Sequence, residues 1–134
     1  MGMKLKQLPL QMDTGYHGAV RASALEDLSR GDIVSVVGRR GAYLQVALAD
    51  STKAKHSMLF IADHASAAGD IVRCMSFRVS DQELPPSTKI GSPVYLGKNG
   101  KFTTRTTAKK PRIIGTVIDD DGELRALIAP VYGE

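Results

Sequence analysis

The chain has 134 residues, 43% of them hydrophobic and 24% charged, with a formal net charge of +4 at neutral pH. That length suits one domain able to bury about two-thirds of its unfolded surface, and the composition argues against disorder as the whole account. The lone cysteine, Cys74, excludes an intramolecular disulfide and a cysteine zinc cluster. No apolar run approaches the ~20 residues that span a bilayer, and the N-terminus lacks the apolar stretch of a secretory signal, so a soluble chain made in a reducing cytosol is expected.

Residues 1–20 mix isolated Leu, Met and Val with Lys, Gln, Asp, Gly and His and follow neither helical nor strand periodicity. They read as an extended N-terminal arm, ordered against a partner, with a lone edge strand as the plainer alternative. The remainder, 21–134, reads as a single β domain. Its one helical signal covers residues 23–31, with Ser23 as N-cap, Glu26 as capping-box partner and Gly31 as the stop, giving a turn or two.

From there the pattern is strand and turn. Short β-branched or aromatic runs fall at 33–37, 43–48, 58–62, 71–79, 93–96, 102–104, 113–118 and 124–131. In the long run 71–79, Arg73, Met75, Phe77 and Val79 share one face and Val72, Cys74, Ser76 and Arg78 the other, which predicts cover on both sides over part of its length. Lys98-Asn99-Gly100-Lys101 and Asp120-Asp121-Gly122-Glu123 carry the pairs that accept positive φ and predict two tight hairpins. Pro85-Pro86 closes the long run. Gly31-Asp32-Ile33-Val34, Gly69-Asp70-Ile71-Val72 and Gly91-Ser92-Pro93-Val94 repeat a glycine, a small polar residue and then a strand start, at spacings of 38 and 22. Unequal spacing is no solenoid period. It is a reused turn, in which glycine supplies the unusual φ and Asp or Ser bonds the following backbone. The fold expected is all-β, a compact antiparallel sandwich or closed barrel with at most one short helix.

Candidate chemistry is thin. Asp63, His64 and Ser66 hold the residue types of a nucleophilic triad, but near neighbours in one turn seldom converge, and no nucleophile elbow is present. Asp63 is better read as a cap on the small-residue turn 64–69. The separations of His17, His56 and His64 match no zinc spacing, so neither a metal nor another cofactor is expected, and Cys74 reads as a core residue. Gly97-Lys98-Asn99-Gly100-Lys101 lacks the spacing of a phosphate loop, and Asp119, Asp120, Asp121 and Glu123 lack that of a calcium loop. No catalytic residue is assigned and no enzymatic activity expected. One charge pattern stands out: Lys98, Lys101, Arg105, Lys109, Lys110 and Arg112 occur with no acid between 98 and 112, ahead of the acidic run 119–123.

Gly31-Asp32-Ile33-Val34, the segment 58–70, Gly91-Ser92-Pro93-Val94-Tyr95-Leu96 with Asn99-Gly100, and Ile114-Gly115-Thr116-Val117 together resemble the small decoration, or cement, proteins of tailed-bacteriophage heads. The resemblance spans roughly residues 30–118 and rests on turn and strand signatures. It implies a jelly-roll-like or barrel domain without enzymatic activity, made in the host cytoplasm. Such a protein self-associates as a dimer or trimer and binds the outer surface of the major capsid protein shell, cementing neighbouring capsomers. Leu8, Leu10, Met12 and Tyr16 of the arm and Arg105, Lys109, Lys110 and Arg112 of the basic segment are the contact candidates. The alternative is a nucleic-acid-binding β-barrel of the OB type using the basic 98–112 segment, although only Tyr95 and Phe102 stand near it for stacking.

Overall fold

The computed structural model describes residues 19–53 and 58–130. Among them are ten strands and no α-helix: β1 (Ala19–Ala24), β2 (Ile33–Arg40), β3 (Tyr43–Leu48), β4 (Leu59–Ala62), β5 (Ile71–Met75), β6 (Arg78–Val79), β7 (Pro93–Leu96), β8 (Phe102–Thr103), β9 (Ile113–Asp120) and β10 (Glu123–Ile128). The first five close a barrel in the order β1-β3-β2-β4-β5, and the rest form a sheet ordered β6-β10-β9-β7-β8. The all-β expectation holds. Every pairing is antiparallel except β1 with β3, which run parallel.

Side-chain alternation divides the apolar residues into two cores. Ala22, Ala24, Val34, Val46, Phe60, Ala62, Val72 and Cys74 fill the barrel, and their small average size suits so narrow an interior. Ile33, Leu59 and Ile61 point outward from the same strands and meet Val94, Leu96, Ile114, Val117, Ala126 and Ile128 of the sheet. Strand β4 is therefore buried on both faces, which is why Leu59-Phe60-Ile61-Ala62 is a continuous apolar run without alternation.

The helix expected at 23–31 does not form. Ser23 and Ala24 complete β1, Leu25 N–H donates to the Val46 carbonyl at 2.9 Å, and Glu26 accepts from Leu48 N–H through Oε2 at 2.9 Å instead of closing a capping box. Tertiary pairing outweighs the weak helical preference of these residues. Ala19 and Val20, expected within the segment 1–20, belong to β1; its sequence AVRASA hides it, because alanines fill the tight barrel where valines would signal a strand.

The run 71–79 is broken in two. β5 pairs in the barrel, the chain turns at Ser76 and Phe77, and β6 joins the other sheet at Leu127↔Val79 and Ile128↔Arg78. Cover on both sides is not found: Val72, Cys74 and Ser76 are buried, but Ile71 is 42% and Phe77 49% exposed.

Both hairpins form as expected. Asn99 and Gly100 have φ of 52° and 75°, with Tyr95↔Thr103 and Leu96↔Phe102 in register; Asp121 and Gly122 have φ of 56° and 89°, with Ile118↔Arg125 in register. The recurring glycine turn is also present. Gly31, Gly69 and Gly91 have φ of 90°, 91° and 86°, and each turn closes from the next residue's N–H: Asp32 to Ser29 O, Asp70 to Ala67 O, Ser92 to Lys89 O, at 3.0–3.1 Å. This is the geometry in which a type II turn demands positive φ. The closing bonds come from backbone; the Asp32 carboxylate reaches back to Ser29 N–H at 2.8 Å, not forward as the sequence pattern suggested.

The β7–β8 tip is sewn to the barrel. Gly100 N–H donates to Ala49 O, Ala49 N–H to Ile33 O and Ile33 N–H to Gly100 O, a closed ring of three backbone bonds of 2.6–2.9 Å. Asp50 secures the rim, accepting Thr52 Oγ1–H at 2.6 Å and Thr52 N–H at 2.9 Å through Oδ1, and Asn99 N–H at 3.1 Å through Oδ2.

Candidate interaction surfaces

Leu8, Leu10, Met12 and Tyr16, like His17 and His56, lie outside the described residues. The basic candidates lie in the connection between β8 and β9. Arg105, Lys109 and Lys110 are exposed and Arg112 is half-buried. Threonines shape this connection: Thr103 Oγ1 accepts Arg105 N–H at 3.1 Å and donates to Arg105 O at 2.9 Å, and Thr106 Oγ1 accepts Ala108 N–H at 3.0 Å. Such local turns hold an irregular segment without a helix or ladder. Arg105 Nη2 also reaches Ser87 Oγ at 3.3 Å.

The six basic residues do not form one patch. Lys101 Nζ lies 2.7 Å from Asp32 Oδ1, a buried carboxylate, so Lys101 serves the barrel rim. Arg105, Lys109, Lys110 and Arg112 precede β9, whereas Asp120 and Asp121 sit at its far end. An eight-residue strand separates these ends by about 23 Å, too far for Arg112 to pair directly with Asp120 or Asp121. Arg112 and the acidic run 119–123 thus stand at opposite ends of β9. At the far end of β9 Asp119 Oδ1 accepts Gly122 N–H at 2.8 Å and Glu123 pairs with Arg125 at 3.1 Å.

Asp63, His64 and Ser66 do not converge. Asp63 Oδ2 accepts Arg73 Nε–H at 2.9 Å and Nη2–H at 2.7 Å. His64 Nδ1 lies 2.9 Å from Ala65 O, and Nε2 accepts Arg73 N–H at 3.1 Å, which assigns the proton to Nδ1 and commits both ring nitrogens to backbone. Ser66 Oγ donates to Ala67 O at 3.3 Å. Nor does Asp63 cap the turn after β4: Asp27 Oδ1 does, accepting Ala68 N–H at 2.9 Å. Tertiary proximity across 41 residues supplies a cap that no local pattern announces. Cys74 is fully buried, and burial, with the Asp63 charge second, pushes its thiol pKa up to about 11. Among the described residues no group of three His, Cys, Asp or Glu side chains is placed to hold a metal ion.

A feature missed in the sequence is a cleft of about 290 Å³ at the seam between barrel and sheet, lined by Arg30, Asp32, Arg78, Asp81, Lys101 and Phe102 among others. These six residues come from three separated stretches of chain, so spacing could not assemble them.

No family model matches this chain, and no curated protein matches it. Among solved structures it is similar to the N-terminal base of head fiber gp8.5 of bacteriophage phi29, with a TM-score of 0.54, 14% identity, and 84% of this chain and 94% of that chain covered. The two chains share a fold. The match covers nearly the whole of the fiber base, so barrel and sheet together form the common unit.

Proposed function

We propose that this chain is a structural virion protein that binds the outer surface of the major capsid protein shell of a tailed phage and cements neighbouring capsomers. The observation that carries this reading is the shared fold with a phage head fiber base. The surface agrees with it. Asp63 and His64 are engaged with Arg73 and backbone groups, and no enzymatic role is proposed. The exposed Arg105, Lys109 and Lys110 offer charged contacts to an acidic neighbour, and many modest contacts on one shell add by multivalency.

The nucleic-acid alternative is less well supported. The basic segment belongs to the sheet, not the barrel, Phe102 packs against the core and Tyr95 is half-buried, leaving little stacking platform.

The test is co-sedimentation of the purified chain with empty heads of its phage and, separately, with DNA. Binding to heads that also raises their melting temperature is the expected result. Failure to bind heads, together with DNA binding that weakens steeply with salt, overturns it. A chain lacking residues 1–18, folded by circular dichroism yet binding heads as tightly as the full chain, removes Leu8, Leu10, Met12 and Tyr16 as contacts.

A further inference from the structure

The break between β5 and β6 carries Arg78 into the seam between barrel and sheet. Its side chain is only 16% exposed. Its nearest carboxylate oxygen, Asp63 Oδ1, stands 3.7 Å from Nη1, beyond hydrogen-bond reach, and the other Asp63 oxygen is held by Arg73 at 2.7 and 2.9 Å. Among the described residues no acceptor hydrogen-bonds the Arg78 guanidinium, which has five N–H donors. The Arg78 nitrogens stay open to water at the cleft and are not sealed in the core, so an acceptor from outside the fold can replace that water.

What Arg78 faces is the seam cleft. Its rim carries Arg30 and Lys101 as further cations, against the carboxylates Asp32 and Asp81. Asp32 is already matched by Lys101 at 2.7 Å, so Arg30 and Arg78 outweigh the remaining acid. Half-buried Phe102, backed by the buried Ile61 and Ile128, adds an apolar wall.

We propose that this cleft binds an oxyanion, the carboxylate of a Glu or Asp side chain presented by an extended segment of a partner protein. The planar guanidinium fork accepts both oxygens of a carboxylate at once, and in a partly buried site such bonds are stronger than neutral ones. The apolar wall takes the side-chain methylenes and favours a peptide-borne acid over a bare anion, which offers the same oxygens without the stem. The site does not depend on the capsid reading, because it follows from Arg78 and its surroundings whatever the partner.

The test is an amide-shift titration of the isotopically labelled full chain with acetyl-Gly-Glu-Gly-amide, its Gln counterpart and inorganic phosphate, following the N–H groups of Gly31, Ser80, Gly100 and Lys101. Saturable shifts with the Glu peptide, at least tenfold weaker binding of the Gln peptide, and at least tenfold loss in Arg78→Lys and in Arg30→Gln are expected. Arg30 is exposed, so its variant keeps the test valid where Arg78→Lys unfolds. Phosphate binding as tightly as the Glu peptide overturns the side-chain assignment in favour of a free anion. Equal response to Glu and Gln peptides, or no saturable shift at these amides, overturns the site altogether.

Discussion

Leu28 and Ser66 face one another in a reciprocal backbone bridge, Leu28 N–H donating to Ser66 O at 2.8 Å and Ser66 N–H to Leu28 O at 3.0 Å. The bonds around them exchange in the same way. Gly31 N–H donates to Ala62 O and Ala62 N–H to Asp32 O, while Gly69 N–H donates to Ala24 O and Ala24 N–H to Asp70 O, all at 2.8–2.9 Å. Residues 24–32 and 62–70 are thus related by a local pseudo-twofold across the barrel, and the spacing of 38 between the two Gly-Asp-Ile-Val sequences is the trace of it. The third glycine turn repeats half the pattern in the sheet, with Gly91 N–H to Val117 O and Val117 N–H to Ser92 O, both 2.9 Å.

These turns give an ordered set of stability losses. A Cβ at Gly69 or Gly91 meets nothing within 4 Å, so alanine there adds only left-handed backbone strain, about 1 kcal/mol. At Gly100 the added Cβ would also fall 2.6 Å from Leu48 Cδ2 and 3.1 Å from Ile33 O, raising the loss to about 3 kcal/mol. Urea unfolding midpoints should rank wild type, then Gly69→Ala with Gly91→Ala, then Gly100→Ala. A Gly100→Ala midpoint equal to that of Gly69→Ala contradicts the close approach.

Gly115 is restricted by space rather than by φ. A Cβ there would collide with the Leu127 carbonyl oxygen across the β9–β10 ladder, next to the irregularity between Ile113 and Gly115. Backbone cannot yield without losing pairing, so Gly115→Ala should cost about 3 kcal/mol or leave the chain insoluble. Gly41→Ala, with open space around it, is the matched control and should stay soluble and lose about 1 kcal/mol.

Asp50 should show in the acid limb of stability. The Thr52 hydroxyl first, then the backbone N–H groups of Thr52 and Asn99, lower its pKa from 3.8 to about 2. A carboxylate depressed in the folded state stabilises it above the unfolded pKa and loses that contribution as pH falls from about 4 through 2. Asp50→Asn should therefore be less stable than wild type at pH 6, with the gap narrowing toward pH 2 in denaturation midpoints measured across that window. A constant gap rules out this linkage.

Cys74 should be inert in the folded chain. Its thiol is buried and its pKa raised from 9.0 to about 11, so thiolate is scarce at pH 8 and reagent has no access. Ellman's reagent should react only as fast as the chain unfolds, and at once in denaturant. The raised pKa stabilises the fold below pH 9 and is lost as pH climbs toward 11. Rapid native labelling at pH 8 contradicts this burial.

Much of the architecture was legible because turns are local. Asn99-Gly100 and Asp121-Gly122 need positive φ, which few residue pairs accept, and each hairpin then fixes its own strand register. The glycine echo was visible for the same reason. The strand AVRASA and the segment 23–31 are ambiguous in sequence because alanine, serine and leucine suit either state and only neighbouring strands decide. At the candidate surfaces, the exposed basic run before β9 could be read from charge alone, but the loss of Lys101 to Asp32 could not, since that pair spans 69 residues.

By itself the sequence determined an all-β chain with glycine turns, two hairpins and a charge reversal along its last long strands, each a matter of local conformational preference or net composition. Tertiary structure decided the rest: that five strands close around small side chains, that residues 71–79 split between barrel and sheet, and that Arg78 enters a cleft beside Arg30 and Lys101. The physical reason is range. Backbone strain and side-chain alternation act within a few residues, whereas burial, desolvation and charge pairing depend on what the folded chain brings together.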